Sequence, residues 1–168
     1  MKKVIVLPYD EKWKAEFGRI REELVAVLGA LAIAIEHVGS TAVEGLCAKP
    51  IIDIDVVIGD YNSFEAVKDK LSSIGYVHEG DLGVKERHAF KYSGKPHLMK
   101  HHLYVCPVYS EELKRHIVFR DYLRVNPQDR DWYGEVKTLA AVRFPEDVDS
   151  YMVAKSPCVV EIIKRALL

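Results

Sequence analysis

Along the first part of the chain, apolar residues recur at three- and four-residue steps: Trp13, Phe17, Ile20, Leu24 and Val27. That spacing predicts a helix with one apolar stripe, capped by Asp10 behind the turn at Pro8. After Gly29 the period shortens to two, and residues 31–38, alternating around Ile33, Ile35 and His37, predict a strand that runs into Gly39-Ser40-Thr41. Residues 51–58 predict a second strand, rich in β-branched side chains, with Asp53 and Asp55 on one side and Ile52, Ile54 and Val56 on the other. Asn62 or Ser63 then caps a helix whose buried face is Phe64, Val67, Leu71 and Ile74 and which ends at Gly75. Strands over 87–92 and 102–106 follow, joined by the turn residues Ser93-Gly94-Lys95-Pro96.

The C-terminal third reads as helices. Ser110 caps the first, with Glu111 and Glu112 in its opening turn; Asn126-Pro127 stops it, and a second runs to about Phe144 before Pro145. Ser156-Pro157 opens the last, striped by Val160, Ile163 and Leu167. The whole order predicts an α+β fold, a mixed β-sheet flanked by helices with a helical C-terminal extension over about residues 110–168. At 168 residues, one domain spanning 1–168 is expected.

Composition acts mainly by exclusion. A hydrophobic fraction of 49% with 29% charged residues excludes whole-chain disorder. Lys+Arg 24 against Asp+Glu 25 leaves a net charge of -1, so there is no strong nucleic-acid signal beyond a local basic face. No apolar run approaches the ~20 residues of a membrane span. The run from Val4 to Leu7 is too short for a signal peptide, and the cysteines Cys47, Cys106 and Cys158 are odd in number and widely spaced. A reduced, cytoplasmic protein is expected.

The chemistry concentrates in residues 37–58. Gly39 and Ser40 follow a strand and precede a short helical turn over 41–47, so backbone N–H groups and the Ser40 and Thr41 hydroxyls would face one anion, a phosphate cradle. Asp53 and Asp55, at i and i+2, stand roughly 6.6 to 6.8 Å apart on one strand face, which suits Mg²⁺ or Mn²⁺ shared with a triphosphate. Lys49 either touches phosphate, pairs with Asp53 or stays solvated. Arg120 and Arg124 share a helix face that suits a polyanion, with an Arg124–Asp121 pair as the alternative. His37 shares the parity of Ile33 and Ile35, which favours a hydrogen-bonded core histidine. His97, His101 and His102 do not share a face and so do not make a zinc site, and Cys47 and Cys106 have no hydrolase partners.

The string HVGSTAVEGLCAKPIIDID at 37–55, with HLYV at 102–105 and FRDYLR at 119–124, resembles the GrpB family, a branch of the nucleotidyltransferase superfamily, over nearly the whole chain. The resemblance implies a nucleotidyltransferase-like fold, a Gly-Ser motif at Gly39-Ser40 and a metal-binding carboxylate pair at Asp53 and Asp55. Arg87, Lys137 and Lys155 also fit the family pattern. Active nucleotidyltransferases add a third carboxylate from a later strand. Here that strand carries His102 and Tyr104, so His102, or Glu79, Asp81 or Glu86 from the preceding loop, is expected to substitute. The function implied is Mg²⁺-dependent transfer of a nucleotidyl group from a nucleoside triphosphate to an acceptor, with Asp53, Asp55 and His102 catalytic and Gly39, Ser40, Thr41, Lys49, Arg87, Arg120 and Arg124 holding substrate phosphates. The rival is a non-catalytic module for nucleotides or phosphorylated cofactors, linked to coenzyme A metabolism because some relatives are fused to dephospho-CoA kinase. A third reading is a scaffold or homo-oligomer whose interface is the helical C-terminus.

Overall fold

The computed structural model describes residues 2–168. Helix α1 spans Lys12–Leu28, with the Asp10 carboxylate accepting from Lys12 N at 2.9 Å, and it buries Trp13, Ile20, Leu24 and Leu28. Strand β1 is Ala34–Val38 and β2 is Ile52–Ile58. The first strand is shorter than its alternation predicts: Gly29–Leu31 form a 3₁₀ turn, and Ile33 lies exposed before the ladder begins. Helix α2, Phe64–Ser73, is not capped by Asn62 or Ser63; Asp60 accepts from Asn62 N at 2.8 Å and opens a 3₁₀ turn that feeds it. Strand β3, Tyr76–Gly80, was not predicted, because Tyr-Val-His-Glu-Gly offers only one buried residue to its pattern. Strands β4, His88–Tyr92, and β5, His101–Pro107, follow as expected.

The sheet order is β1-β2-β5-β4-β3, mixed because only β2 and β5 run parallel. Its inner face takes Ile52, Ile54, Val56, Leu103 and Val105 against α1 and α2, a core completed by Phe64, Val67, Leu71 and Tyr76. The period of two then drives Asp53, Asp55, His102 and Tyr104 to the outer face, where Asp53 pairs in register with His102 and Asp55 with Tyr104.

Helices α3 (Glu111–Val125), α4 (Pro127–Arg143) and α5 (Val148–Ala166) form the C-terminal cap. Ser110 caps α3 as expected, accepting from Leu113 N at 3.2 Å. The predicted start of α5 is corrected: Asp147 caps it, accepting from Ser150 N at 3.0 Å, and the helix runs through Ser156-Pro157. Pro157 is tolerated because the carbonyl it leaves free belongs to Val153, on the exposed side. The inward residues of α5 are therefore Tyr151, Cys158 and Ile162, while Val160 and Leu167 point outward and Ile163 is only partly covered.

Candidate active site

The outer face of β2 opens into a cleft of about 270 Å³ between the sheet and the C-terminal helices, continuous with a second lobe of about 510 Å³. Gly39, Ser40, Asp53, His116 and Lys155 line both lobes. Gly39 turns the chain out of β1 at φ +74 and ψ -173, a conformation essentially confined to glycine. A Cβ at this position would overlap Asp53 Oδ2, so the loop and the carboxylate are packed as one unit. The predicted helical turn over 41–47 is only a 3₁₀ turn at Ser40–Ala42. His37 is buried, stacked on Phe17, and its Nε2 meets Thr41 Oγ1 at 2.9 Å; burial lowers its pKa to about 4 and keeps it neutral, the core role expected.

The two carboxylates differ. Asp53 reaches the cleft, with Oδ1 2.9 Å from His102 Nδ1. Asp55 is fully buried; its Oδ2 lies 2.6 Å from His116 Nδ1, and its Oδ1 has no partner. His116 Nε2 in turn faces Glu112 Oε1 at 3.2 Å. Burial pushes the Asp55 carboxyl above its ordinary range. For His116 burial works the other way but is outweighed by hydrogen bonds to Asp55 and Glu112, which raise it to about 9 and make it an imidazolium donating from both nitrogens. His116 was not among the residues expected from sequence.

Opposite the carboxylates stand three ammonium groups. Lys49 and Lys155 approach the ring of Tyr151 at 5.4 and 5.3 Å, and Lys137 lies 4.7 Å from the ring of Tyr133 and donates to the Cys47 carbonyl. Among the described residues none of the three forms an ion pair. Burial lowers Lys137 to about 7 and Lys155 to about 8, the latter helped by the neighbouring charge of Lys49; burial lowers Lys49 as well. Arg87 also lines the cleft, 4.4 Å from the Tyr104 ring with its Nε buried and unpartnered. Unpaired cations kept out of water are costly without an anion to meet them.

Of the expected phosphate ligands, Gly39, Ser40, Thr41, Lys49 and Arg87 therefore converge, together with Lys137 and Lys155. Arg120 and Arg124 do not. Arg120 is buried and spent on Glu36 at 2.6 Å, Asp121 at 2.8 Å and the His37 carbonyl at 3.1 Å, while Arg124 holds the Ala42 carbonyl at 2.8 and 3.0 Å. Both brace the loop from behind. Glu79, Asp81 and Glu86 line neither lobe, so the loop contributes no third carboxylate. His97 and His101 are likewise apart, bonded to Glu23 and to Tyr76, and Cys106 is buried, its thiol pushed up to about 12. No group of three or more His, Cys, Asp or Glu able to hold a metal occurs among the described residues, and no described helix is long and apolar enough to cross a membrane. A Mg²⁺ fits these donors as a shared ion, since it keeps waters and substrate phosphates as ligands and needs only one or two carboxylates. Of the two carboxylates only Asp53 lines the cleft; Asp55, buried on the same strand face, keeps one orphaned oxygen, Oδ1, as the second donor such an ion would need.

Residues 3–165 match the family model described as GrpB protein. The chain is 39% identical over 164 residues to UPF0157 protein BH1888 of Halalkalibacterium halodurans, covering 97% of this chain and 82% of that one. It spans only 44% of UPF0157 protein YqkA of Bacillus subtilis, at 31% identity over 92% of this chain. It likewise spans 46% of a dephospho-CoA kinase of Mycolicibacterium paratuberculosis, at 28% identity over 97% of this chain. The crystal structure of conserved protein GrpB from Enterococcus faecalis superposes with a TM-score of 0.85 at 32% identity, covering 97% of each chain. Cid1 in complex with its short product ApU superposes at 0.54 with 11% identity, covering 79% of this chain and 42% of Cid1, a likeness of fold.

Proposed function

We propose that this chain, which belongs to the GrpB family, is a nucleotidyltransferase that moves a nucleotidyl group from a nucleoside triphosphate to an acceptor. One observation carries the reading: across the cleft from Asp53, two of the C-terminal helices place a lysine in their inward stripe. In α4 the inward run Tyr133, Lys137, Ala140 includes Lys137; in α5 Lys155 falls between Tyr151 and Cys158. One buried cation, Lys137, and two half-buried ones, Lys49 and Lys155, facing a carboxylate and a Gly-Ser loop match a polyanion bridged to a divalent ion. Lys49, Lys137 and Lys155 hold the phosphates by charge, Ser40 and the backbone beside Gly39 by hydrogen bonds, and the apolar lobe around Phe119, Tyr133 and Ile163 takes the nucleoside. Asp53 and Asp55 hold Mg²⁺, which supplies charge neutralisation and polarisation of the phosphoryl oxygens. His102, bonded to Asp53, stands where the acceptor hydroxyl must give up its proton.

A binding module without turnover is the second reading, favoured by the absence of a third carboxylate from β5 or its preceding loop, since Glu112 in the second lobe is engaged by His116, and by the His116 imidazolium already occupying one oxygen of Asp55. The deciding experiment has two parts. Calorimetry with Mg²⁺ and triphosphate should show binding that Asp53→Asn with Asp55→Asn abolishes while the circular dichroism spectrum is retained. Incubation with labelled triphosphates and a cell extract as acceptor source should release pyrophosphate in the wild type only. Tight binding without release across acceptors would leave the binding module standing.

A further inference from the structure

The outer face of the sheet is covered unevenly. Helices α3 to α5 close over the β1–β2 side, but the start of β5 and the outer faces of β4 and β3 lie open, with Val77, Glu79, Lys91 and Lys100 exposed. This open face forms a groove of about 580 Å³ whose lining includes Lys2, Glu79, Lys91, Lys100, His102 and Tyr104. His102 and Tyr104 line the triphosphate cleft too, so the groove and the cleft meet at the Asp53–His102 pair. Within the groove three lysines face one carboxylate. Their field reaches into the cleft, since Lys100 and Lys2 both add to the lowering of the Lys49 pKa that burial begins.

We infer that this groove is the acceptor site and that it takes a sugar phosphate. The inference rests on the transferase reading. In-line displacement requires the attacking hydroxyl on the side of phosphorus away from the leaving pyrophosphate. With phosphates held by the Gly39 loop and the lysines of the cleft, the open approach to Asp53 on the other side is along His102 into the groove. The acceptor hydroxyl gives its proton to His102 and attacks the α-phosphorus; a new P–O bond forms, and the bond to the departing pyrophosphate breaks. The register that sets Ala89 against Tyr104 and Phe90 against Leu103 brings Lys91 beside His102 on the neighbouring strand, and Lys100 shares the face of His102 by parity. A phosphate over Lys91 and Lys100 therefore lies roughly 5 to 7 Å from a hydroxyl at His102. That is the span of a phosphorylated five- or six-carbon sugar.

The test uses the full chain and ribose 5-phosphate as probe, with ribose and inorganic phosphate as controls, followed by amide chemical shifts without triphosphate. Ribose 5-phosphate should shift residues 91, 100 and 102 and bind more tightly than either control. Lys91→Met with Lys100→Met, both at exposed positions, should weaken it about tenfold or more and weaken Mg²⁺–triphosphate binding by clearly less. No shifts up to about 10 mM probe, or equal affinity in wild type and variant, would overturn the acceptor groove. Loss of triphosphate binding in the wild type with the groove still binding ribose 5-phosphate would sink the transferase reading alone and leave the sugar-phosphate site in place.

Discussion

Replacing Gly39 by alanine separates two costs that the geometry combines. The backbone at φ +74 and ψ -173 lies in a region nearly closed to side chains, a strain of about 1–3 kcal/mol. The new methyl also overlaps Asp53 Oδ2, and overpacking of this kind costs about 1–3 kcal/mol more or moves the carboxylate. Gly29→Ala is the matched control: φ is +53 there, but nothing lies within 4 Å of the added Cβ, so only strain operates. For a chain of this size each kcal/mol lowers Tm by about 2–4 °C, giving about 5 °C for Gly29→Ala and about 10 °C for Gly39→Ala. Thermal unfolding followed by circular dichroism reads both, and calorimetry with Mg²⁺ should show weakened binding in Gly39→Ala alone. Equal Tm losses with unchanged Mg²⁺ affinity would refute the coupling of the loop to Asp53.

Three further outcomes follow from the same geometry. Lys137 and Lys155, lowered to about 7 and 8, are charged below those values and neutral above, so triphosphate affinity should fall between pH 6.5 and 9. Lys137→Met should flatten the lower part of that profile, and an unchanged profile would remove Lys137 from the phosphate site. His116→Ala leaves Asp55 buried without its ion-pair partner, with only the more distant charge of Arg87, and should cost about 3 kcal/mol in urea unfolding. Because His116 is raised to about 9 when folded, its contribution is complete below about pH 6.5 and fades as pH rises through 9, and the gap between wild type and variant should close over that window. Arg120→Met removes three hydrogen bonds, two of them tying α3 to Glu36 and His37 of β1 and one to Asp121 beside it, the two carboxylates being partly exposed so that water can reclaim them, and should lower stability by about 2 kcal/mol. Triphosphate affinity measured on the folded variant should change little, whereas a large loss would return Arg120 to the cleft.

Local patterns determined much of this protein. The alternation of β2 alone separates Asp53 and Asp55 from Ile52, Ile54 and Val56, because a strand can send neighbouring residues only to opposite faces. The Gly39-Ser40 turn, the cap at Ser110 and the stop at Asn126-Pro127 depend on short-range stereochemistry and were legible for the same reason. What the pattern could not supply is which residues of the C-terminal helices face inward. Their stripes are interrupted by the residues that matter: His116 in α3, Lys137 in α4 and Lys155 in α5 sit where apolar side chains would complete the period. Read as polar they suggest solvent, and the stripe of the last helix slips to Val160 and Leu167, which are exposed. Arg120 and Arg124 show the converse, since their shared helix face was clear but not that it packs behind the loop against Glu36 and Ala42. A charged side chain is buried only where another element brings it a counter-charge or leaves a cleft for an anion, and that is settled by contacts distant in sequence, such as Asp55 with His116 and Lys137 with Cys47.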